Sequence, residues 1–378
     1  MNHVKQTITL SVVIGAICVM LFPVYKFVTF YIPEKVKLAK CPFCLGKDMC
    51  SYINAELNLS QYHFWINMLN ILLDKPLIFG SIDRQTVVLK WVQNEYVDNF
   101  QPEDYTDINS NIESMRLRIN QPRDESLEDF LLCPTTENLG DFLKPILVDG
   151  KNHQLHRPVT IELHQNIIYT LQADKENLVQ QVTQQWAVAP YLGACGVVSV
   201  SEYCGPSLTS VFSQLAWKQR SSLAVQLLTF AFNATFDNKA FAFYFTDLTP
   251  DNFAVSDSNE IRLVDLDNVI VVDKNPSEKP SNWDSVHTSY HDQDIHGFAF
   301  SKEEICSHKI SDTNVYSICQ GILSPHSDLL PNGLLHSPPP HLSGLKTLLD
   351  DCIAPPAELT RFDVAQEILQ FLQNDYSN

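Results

Sequence analysis

A short loop in the second half of the chain carries polar residues whose types and spacing suit phosphate chemistry. The segment FTDLTPDNFAV, residues 245–255, places Asp247 and Asn252 five positions apart between two apolar stretches. Asp265 follows at the end of another apolar stretch. Carboxylate and amide oxygens are ligands that Mg²⁺ accepts in proteins, usually together with substrate phosphates. The alternative is a set of turn and cap residues, which is a common role of Asp and Asn in loops.

The apolar patterns around this loop predict the elements that would hold it. Residues 220–236 have the composition of a mostly buried helix, while residues 252–255 and 261–264 predict two short strands joined by a five-residue turn. Because a β-hairpin returns the chain to the place where it started, Asp265 is expected next to Asp247 and the amide that follows it. This convergence favours a functional role over a role in turns.

Protein kinases use such a set: an Asp that accepts the proton of a hydroxyl, then an Asn and a later Asp that hold metal. On that template Asp247 is the candidate catalytic residue, and Asn252 and Asp265 are the candidate ligands of Mg²⁺ or Mn²⁺. Lys90, in the predicted strand of residues 86–92, is the candidate for binding ATP phosphates. Both faces of that strand are apolar apart from Lys90, so the lysine needs a partner or a ligand. The alternative is a surface lysine whose amine reaches water.

The segments on either side follow the order of a kinase domain. Residues 186–208 predict two strands around a GACG turn and then a hinge, where the backbone of Glu202 and Cys204 would bind the nucleotide base. Residues 311–323 resemble the central helix of the larger kinase lobe, with Asn314 where kinases normally carry Asp.

Residues 345–372 resemble the last helices of a kinase, and Arg361 falls at the position of a structural arginine. Beyond this general order, the chain closely resembles the divergent protein kinase domain 2 family, also called the deleted-in-autism-1 family. The resemblance extends from about Cys41 to Leu372. The motifs that carry it are CPFCLGKDMC, PYLGACG, DLTPDNFAV, VDLDNVIVVDK and GLLHSPPP.

The resemblance implies an α+β, two-lobed protein-kinase-like fold in a protein of the secretory pathway, found in the Golgi, in vesicles or secreted. Members of the family are linked to growth or survival signalling and to vesicle trafficking. We therefore expect a protein substrate or receptor in that pathway or outside the cell. The expected domains are a signal peptide or signal-anchor (1–32), a cysteine-containing extension (33–66), an N-lobe with an insertion (67–204) and a C-lobe (205–378).

The N-terminal segment has the character of a targeting sequence. Residues 8–25 contain no charged side chain and follow Lys5. Eighteen residues is the lower limit of a membrane span and longer than most signal-peptide cores. A signal peptide or a signal-anchor is expected, with membrane association through residues 8–32 if this segment is not cleaved. A buried core helix is the alternative.

The cysteines agree with an oxidising compartment. Of the ten, Cys18 lies in the apolar segment and the other nine follow it. Most of the nine are expected in disulfides, although their number is odd and their pairing is left open. The spacing of CPFCLGKDMC also suits zinc, but a complete set of four ligands is missing. The cysteines expected in disulfides are Cys41, Cys44, Cys50, Cys133, Cys195, Cys306, Cys319 and Cys352. Two sequons offer N-glycosylation sites at Asn58 and Asn233.

The overall charge excludes one class of partner. The chain has 378 residues and a formal net charge of −18, with 45% hydrophobic and 19% charged residues. A nucleic-acid-binding protein needs a basic surface, so no nucleic-acid partner is expected.

Several features depart from an active kinase. The His-Arg pair that precedes the catalytic Asp in kinases is Phe245-Thr246 here. The chain has only 12 glycines, and the LIFGSIDRQTVVLK stretch before Lys90 lacks the glycine-rich pattern that lets backbone amides surround phosphates. The acidic partner of Lys90 is also left open. The candidates for that partner are Glu95, Glu113 and Glu128.

Two functional hypotheses remain at this stage. The first is an atypical lumenal kinase that uses ATP with Mg²⁺ or Mn²⁺ to phosphorylate a hydroxyl. The second is a catalytically weak or inactive pseudokinase that acts as a secreted growth or survival signal or as a trafficking adaptor. A glycosyltransferase with a metal site at the DLD motif of residues 265–267 is a third reading, which the kinase-like order of the flanking motifs disfavours.

Overall fold

The structure is a computed structural model, and the segment expected to carry the targeting signal lies outside the residues that it describes. Within those residues no helix is both long enough and apolar enough to cross a membrane. The described residues are 36–38, 41, 44–59, 63–73, 75–91, 130–135, 137–147, 176–266, 268–290 and 300–376.

The described residues contain both helices and strands, mostly in runs of two or more of the same kind, as expected for an α+β protein. The helices are Cys50–Ala55 (α1), Phe64–Leu72 (α2), Leu139–Leu147 (α3), Glu176–Val182 (α4), Leu208–Val211 (α5), Trp217–Phe232 (α6), Lys302–Cys306 (α7), Thr313–Ile318 (α8), Leu345–Ile353 (α9) and Arg361–Tyr376 (α10). The strands are Leu77–Ile82 (β1), Gln85–Trp91 (β2), Phe130–Cys133 (β3), Tyr191–Cys195 (β4), Val198–Glu202 (β5), Phe241–Phe245 (β6), Phe253–Val255 (β7), Ile261–Leu263 (β8), Val269–Asp273 (β9), Val286–His287 (β10) and Ile310–Ser311 (β11).

The chain forms two compact units. The first contains the described parts of residues 36–91 and residues 191–203. The second contains the described parts of residues 130–190 and of 204–376. Residues 130–147 and 176–190 belong to the second unit, in whose sheet β3 pairs with β9.

The first unit is built on an antiparallel sheet with the order β1-β2-β5-β4. Along β2, Val87, Leu89 and Trp91 are buried, whereas Val88 and Lys90 are half-buried. This alternation follows from the two-residue period of a strand and places one face on the core. The sequence suggested a strand buried on both faces, but the face with Lys90 is only partly covered.

A disulfide and a backbone bridge join the preceding segment to this sheet. Cys50 in α1 is bonded to Cys195 in β4, and the bond spans 145 residues of sequence. At the other edge, Asn58 makes an antiparallel bridge with Ser81 in β1. Gly80 packs closely there, since a Cβ at this position would lie 2.8 Å from Leu57 Cδ1 and 3.3 Å from the Asn58 carbonyl oxygen.

The second unit packs helices around a mixed sheet with the order β3-β9-β6, in which β3 is parallel to β9 and β6 is antiparallel to it. Every residue of β6 is buried. Helix α6 contacts α8 and α10. Two disulfides lie in this unit: Cys133 in β3 is bonded to Cys306 in α7, and Cys319 is bonded to Cys352 in α9.

The predicted elements around the loop are present with small shifts at their ends. The helix predicted for residues 220–236 is α6, and a π-helical segment, Asn233–Asp237, continues it. The two predicted strands are β7 and β8, which pair antiparallel with Phe253 opposite Leu263 and Val255 opposite Ile261.

Candidate functional site

The loop after β6 is fixed by hydrogen bonds between its two candidate functional residues. The Nδ2 atom of Asn252 donates to the main-chain oxygen of Asp247 at 3.0 Å and to its Oδ2 at 2.9 Å. A 3₁₀ turn, Pro250–Asn252, brings the two side chains together, and the Thr249 N–H donates to the Asp247 carbonyl at 3.0 Å. Both side chains are half-buried, so they remain accessible to a ligand.

The hairpin brings the third candidate back to this loop. The Val264 N–H donates to the Asn252 carbonyl at 2.9 Å, and Asp265 is the next residue along the chain. Asp265 is half-buried, and Leu266 beside it is buried in the core. The structure therefore brings the segment carrying Asp265 to the loop, as the hairpin predicted. Asp267, the last residue of the DLD motif, lies outside the described residues.

The buried side-chain amide of Asn314 forms hydrogen bonds to the main chain at the end of β6. Asn314 Oδ1 accepts from the Phe245 N–H at 3.0 Å, and its Nδ2 donates to the Phe243 carbonyl at 2.7 Å and to Thr235 Oγ1 at 3.3 Å. The side chain is completely buried. From sequence, Asn314 counted only as a departure from kinases. In the structure this amide satisfies both a donor and an acceptor of the strand that leads into the loop.

A second buried polar group, Arg361, joins the last helix to the rest of the unit. Its guanidinium forms an ion pair with Asp312, the residue just before α8. It also donates to the carbonyls of Cys352 at 2.7 Å, Ser289 at 2.8 Å and Ile353 at 2.9 Å. The structural role expected for Arg361 thus has a direct basis. Its partner Asp312 was not found from sequence, because it precedes the predicted helix and lies 49 positions away.

Lys90 lies in the first unit, in the middle of its sheet. Its register partners are Leu77 in β1 and Ser199 in β5, and Ser199 Oγ donates to the Lys90 carbonyl at 3.1 Å. Its side chain is half-buried. The acidic candidates for its partner, at positions 95, 113 and 128, lie outside the described residues.

The stretch in which a phosphate-binding loop was sought forms a tight hairpin instead. Ile82 pairs with Gln85, so Asp83 and Arg84 alone connect β1 to β2. Both have positive φ angles, 47° and 66°, as in a type I′ turn. A two-residue turn has no row of backbone amides to surround phosphates, in agreement with the missing glycines.

The predicted hinge is where the chain passes from the first unit to the second, between Tyr203 and Cys204. Tyr203 continues the pairing of β5, since its N–H donates to the Thr86 carbonyl at 3.1 Å. Glu202 and Cys204 are half-buried. Gly205 has φ +117°, and a Cβ there would lie 2.1 Å from the Val255 carbonyl oxygen, so only glycine fits.

Comparisons with known proteins identify the family of the chain. A family model described as the protein-kinase domain of FAM69 matches residues 168–355, which include the loop, the hairpin and the hinge. Divergent protein kinase domain 2A from Homo sapiens is 31% identical over 389 residues, covering 89% of this chain and 87% of that protein. The proteins of the same name from Mus musculus and Xenopus tropicalis are 31% and 29% identical, with the same coverage. The chain belongs to the divergent protein kinase domain 2 family.

The cysteines of this family member form disulfides rather than a zinc site. The eight cysteines expected to pair do so, and two of the four bonds involve the CPFCLGKDMC segment: Cys41 with Cys44, and Cys50 with Cys195. The described residues contain no cluster of three or more His, Cys, Asp or Glu side chains that could hold a metal. Cys204 does not belong to these four bonds.

The two sequons differ in their surroundings. Asn58 is exposed at the edge of the first unit. Asn233 is half-buried at the start of the π-helical segment, and Thr235 of its sequon is completely buried and donates to the Ala231 carbonyl at 2.8 Å.

The residues of the loop fit a divalent cation by their chemistry. The Asn252 amide uses its nitrogen toward Asp247, which leaves its oxygen available; within the described residues neither Asn252 Oδ1 nor Asp247 Oδ1 accepts a hydrogen bond. With the carboxylate of Asp265, the donors are all oxygens, as Mg²⁺ and Mn²⁺ require.

Proposed function

We propose that this divergent kinase-like protein transfers a phosphoryl group from ATP to a protein hydroxyl. The observation that carries the proposal is the pair of hydrogen bonds from Asn252 Nδ2 to Asp247. These bonds orient one carboxylate and point the amide oxygen away from it. The Asn252 oxygen is thereby left for a cation, and the oriented carboxylate is left for a substrate hydroxyl.

The roles are those that the kinase template gives to these positions. ATP would supply the phosphoryl group, and Mg²⁺ or Mn²⁺ would neutralise the negative charge of its phosphates. Asn252 and Asp265 would ligate the cation, and Lys90 would hold a phosphate. Asp247 accepts the proton of the substrate hydroxyl through the carboxylate that Asn252 orients. The backbone around Glu202 and Cys204 would bind the base.

We further propose that the protein works in the lumen of the secretory pathway, in the Golgi or in vesicles, or after secretion. Support comes from the four disulfides, because such bonds persist in oxidising compartments and are rare in the cytosol. The substrate or receptor would then be a protein of that pathway or of the extracellular space. The formal net charge of −18 speaks against nucleic acid as a partner.

The decisive experiment is thermal unfolding of the full chain with ATP and either Mg²⁺ or Mn²⁺, compared with Asp265→Ala. A ligand that binds only the folded state raises the midpoint. We expect a metal-dependent rise in the wild type that the variant loses, followed by metal-dependent transfer from labelled ATP to a generic protein substrate. Equal midpoints with and without nucleotide in the wild type would reject the proposal.

One observation favours the second candidate, a pseudokinase that serves as a binding module or adaptor. The turn at Asp83 and Arg84 offers no cradle for phosphates, so any nucleotide would be held without the loop that kinases use. A midpoint shift without detectable transfer would assign the protein to this class, because it separates nucleotide binding from chemistry.

A further inference from the structure

Helix α2 turns its polar side toward the protein. Asn67 and Asn70 are buried, with 1% and 7% of their surface exposed. Asn67 accepts from the Phe79 N–H at 2.8 Å and donates to the Phe79 carbonyl at 2.7 Å, so its amide pairs with β1 as a strand residue would. Asn70 donates to the Leu77 carbonyl at 3.1 Å. These amides cover the free edge of the sheet.

The opposite side of the same helix is apolar and exposed. Its side chains follow the i, i+1, i+4, i+7, i+8 spacing of a single helix face. We call these five residues, together, the α2 face. They are Trp65 (65% exposed), Ile66 (46%), Leu69 (56%), Leu72 (74%) and Leu73 (63%).

The helix cannot hide this face by rotating. The centres of the exposed and buried sides are about 130° apart at 3.6 residues per turn. Rotation would expose the Asn67 amide and break both of its hydrogen bonds to Phe79, which would leave the main-chain N–H and carbonyl of Phe79 unpaired. The sequence therefore fixes the orientation in which the apolar side faces outward, and the exposed face is a property of the fold.

We propose that the α2 face binds a second copy of this chain, α2 against α2, about a twofold axis. Five large apolar side chains expose several hundred Å², the size of patch that marks an interaction site. A standard interface buries roughly 800 Å² per partner, so side chains around the α2 face would contribute the remainder. A surface that meets its own copy must be self-complementary, and an apolar helix face satisfies this condition.

The lack of charged side chains on α2 favours a second copy over a membrane surface. The chain carries a net charge of −18, so two copies repel each other over most of their surface. No charged residue lies between Phe64 and Leu73, which makes the α2 face a place where two copies can meet without like charges in contact. Helices that bind membrane surfaces usually carry Lys or Arg beside the apolar side, and α2 has none.

The spacing along α2 defines the arrangement. Leu69 lies four residues from Trp65 and four from Leu73. An antiparallel pair with Leu69 on the axis therefore places Trp65 of one protomer against Leu73 of the other. Packed helices lie about 8–10 Å apart, and Cα atoms lie about 2.3 Å from each helix axis. Two Leu69 Cα atoms on the axis would then be about 3.4–5.4 Å apart, and at helix separations of about 9–10 Å this distance falls in the range of about 4.4–6.8 Å that a disulfide spans.

The test uses the full chain, made in secreting cells and kept in mild detergent if it retains its N-terminal apolar segment. In Leu69→Cys we expect a disulfide-linked dimer that wild type lacks. The matched control is Leu359→Cys, another exposed leucine (43%) in the second unit, which should stay unlinked. Crosslinking of both variants to the same extent would reflect random collision and overturn the proposal.

A second variant measures the association itself. Light scattering across a dilution series should give twice the chain mass for wild type and Leu359→Lys, but a single chain mass for Leu69→Lys. The unfolding midpoint of Leu69→Lys should match that of wild type, because the side chain is outside the core. A wild-type monomer throughout the series would overturn the proposal. So would flotation of the wild type with uncharged phosphatidylcholine vesicles if Leu69→Lys abolishes it, because the α2 face would then bind lipid.

Discussion

At the scale of single residues, metal binding and proton transfer are assigned to different side chains, so one substitution can remove one without the other. The Asn252 amide orients the Asp247 carboxylate through the 2.9 Å bond to Oδ2, and the proposed metal oxygens belong to Asn252 and Asp265. Asp247→Asn keeps the size of the side chain and removes the base. Transfer should then fall by about 100-fold or more, while stabilisation by ATP and metal persists.

Both quantities are measured on the same preparation, by transfer from labelled ATP and by the unfolding midpoint. The matched control is Asp251→Asn, at an exposed residue of the same turn. A similar loss of transfer in both variants would show that the loop has collapsed and that Asp247 has no specific role.

The hydrogen bonds of Asn314 explain why this position carries Asn where kinases normally carry Asp. Its oxygen accepts from the Phe245 N–H, and its nitrogen donates to the Phe243 carbonyl. A carboxylate could accept the first bond but would repel the second carbonyl. We expect Asn314→Asp to lower the free energy of unfolding by about 1–3 kcal/mol near neutral pH, as measured by urea denaturation.

The same substitution at the exposed Asn282 should change stability by less than about 0.5 kcal/mol. A protonated acid can donate to the Phe243 carbonyl, so the deficit of Asn314→Asp should shrink as the pH falls. A variant as stable as wild type would mean that the side-chain donor of Asn314 is dispensable.

The free energy of unfolding is expected to depend on pH through His287. The ring is buried, with Nδ1 2.8 Å from Ser311 Oγ and Nε2 3.4 Å from Glu304. Burial lowers the pKa of His287 below its ordinary value of 6.5, and Asp312 and Glu304 oppose that shift only in part. The unfolded chain therefore takes up the proton first as the pH falls. Stability should be complete above pH 6.5 and decline below it.

Urea denaturation between pH 7 and pH 5 measures this slope. His287→Asn keeps a polar group near Ser311 and removes the titrating ring, so it should flatten the slope. His326→Asn, at a largely exposed ring, should leave it unchanged. Parallel slopes for wild type and His287→Asn would assign the pH dependence to other groups.

At the scale of elements, the hairpin between β1 and β2 carries two non-glycine residues in a left-handed conformation. The φ angles of Asp83 and Arg84 are 47° and 66°, a region that costs an L-residue roughly 1–2 kcal/mol and glycine nothing. Arg84→Gly should therefore raise the free energy of unfolding by about 0.5–1 kcal/mol, after the greater freedom of glycine in the unfolded chain is subtracted.

The control is the same replacement one position later. Gln85→Gly lies in β2 and should destabilise the protein by about 0.5–1 kcal/mol. An increase in the free energy of unfolding at Arg84 and a decrease at Gln85 would show that only the turn position is in a left-handed conformation. If both variants lose stability, the left-handed conformation carries no cost here.

Elements that depend on neighbouring residues could be predicted, and those that depend on distant partners could not. The hairpin β7–β8 and helix α6 follow from local patterns, which explains the meeting of Asp265 with the loop. The pairing of β3 with β9 joins segments more than 130 residues apart, and no local pattern encodes it. The same is true of Asp312 and Arg361. Helix α2 was missed because its apolar residues face water and its asparagines face the sheet.

At the scale of the whole molecule, disulfides close the longest loops and connect stability to the compartment. Cys50–Cys195 and Cys133–Cys306 span 145 and 173 residues, one bond in each unit. In the chain-entropy view, bonds that close long loops stabilise most, typically by about 2–4 kcal/mol each. Chain made in an oxidising lumen should therefore be markedly more resistant to urea than the same chain after reduction.

Thiol titration under denaturing conditions tests this state directly. Eight of the ten cysteines are in disulfides, so lumenal protein should show at most two thiols, from Cys18 and Cys204. Cys204→Ala should lower the count by no more than one and leave the effect of reduction on stability intact, because Cys204 is outside the four bonds. Reduced protein that matches oxidised protein in urea would separate the fold from the disulfides and remove the main support for a lumenal site of action.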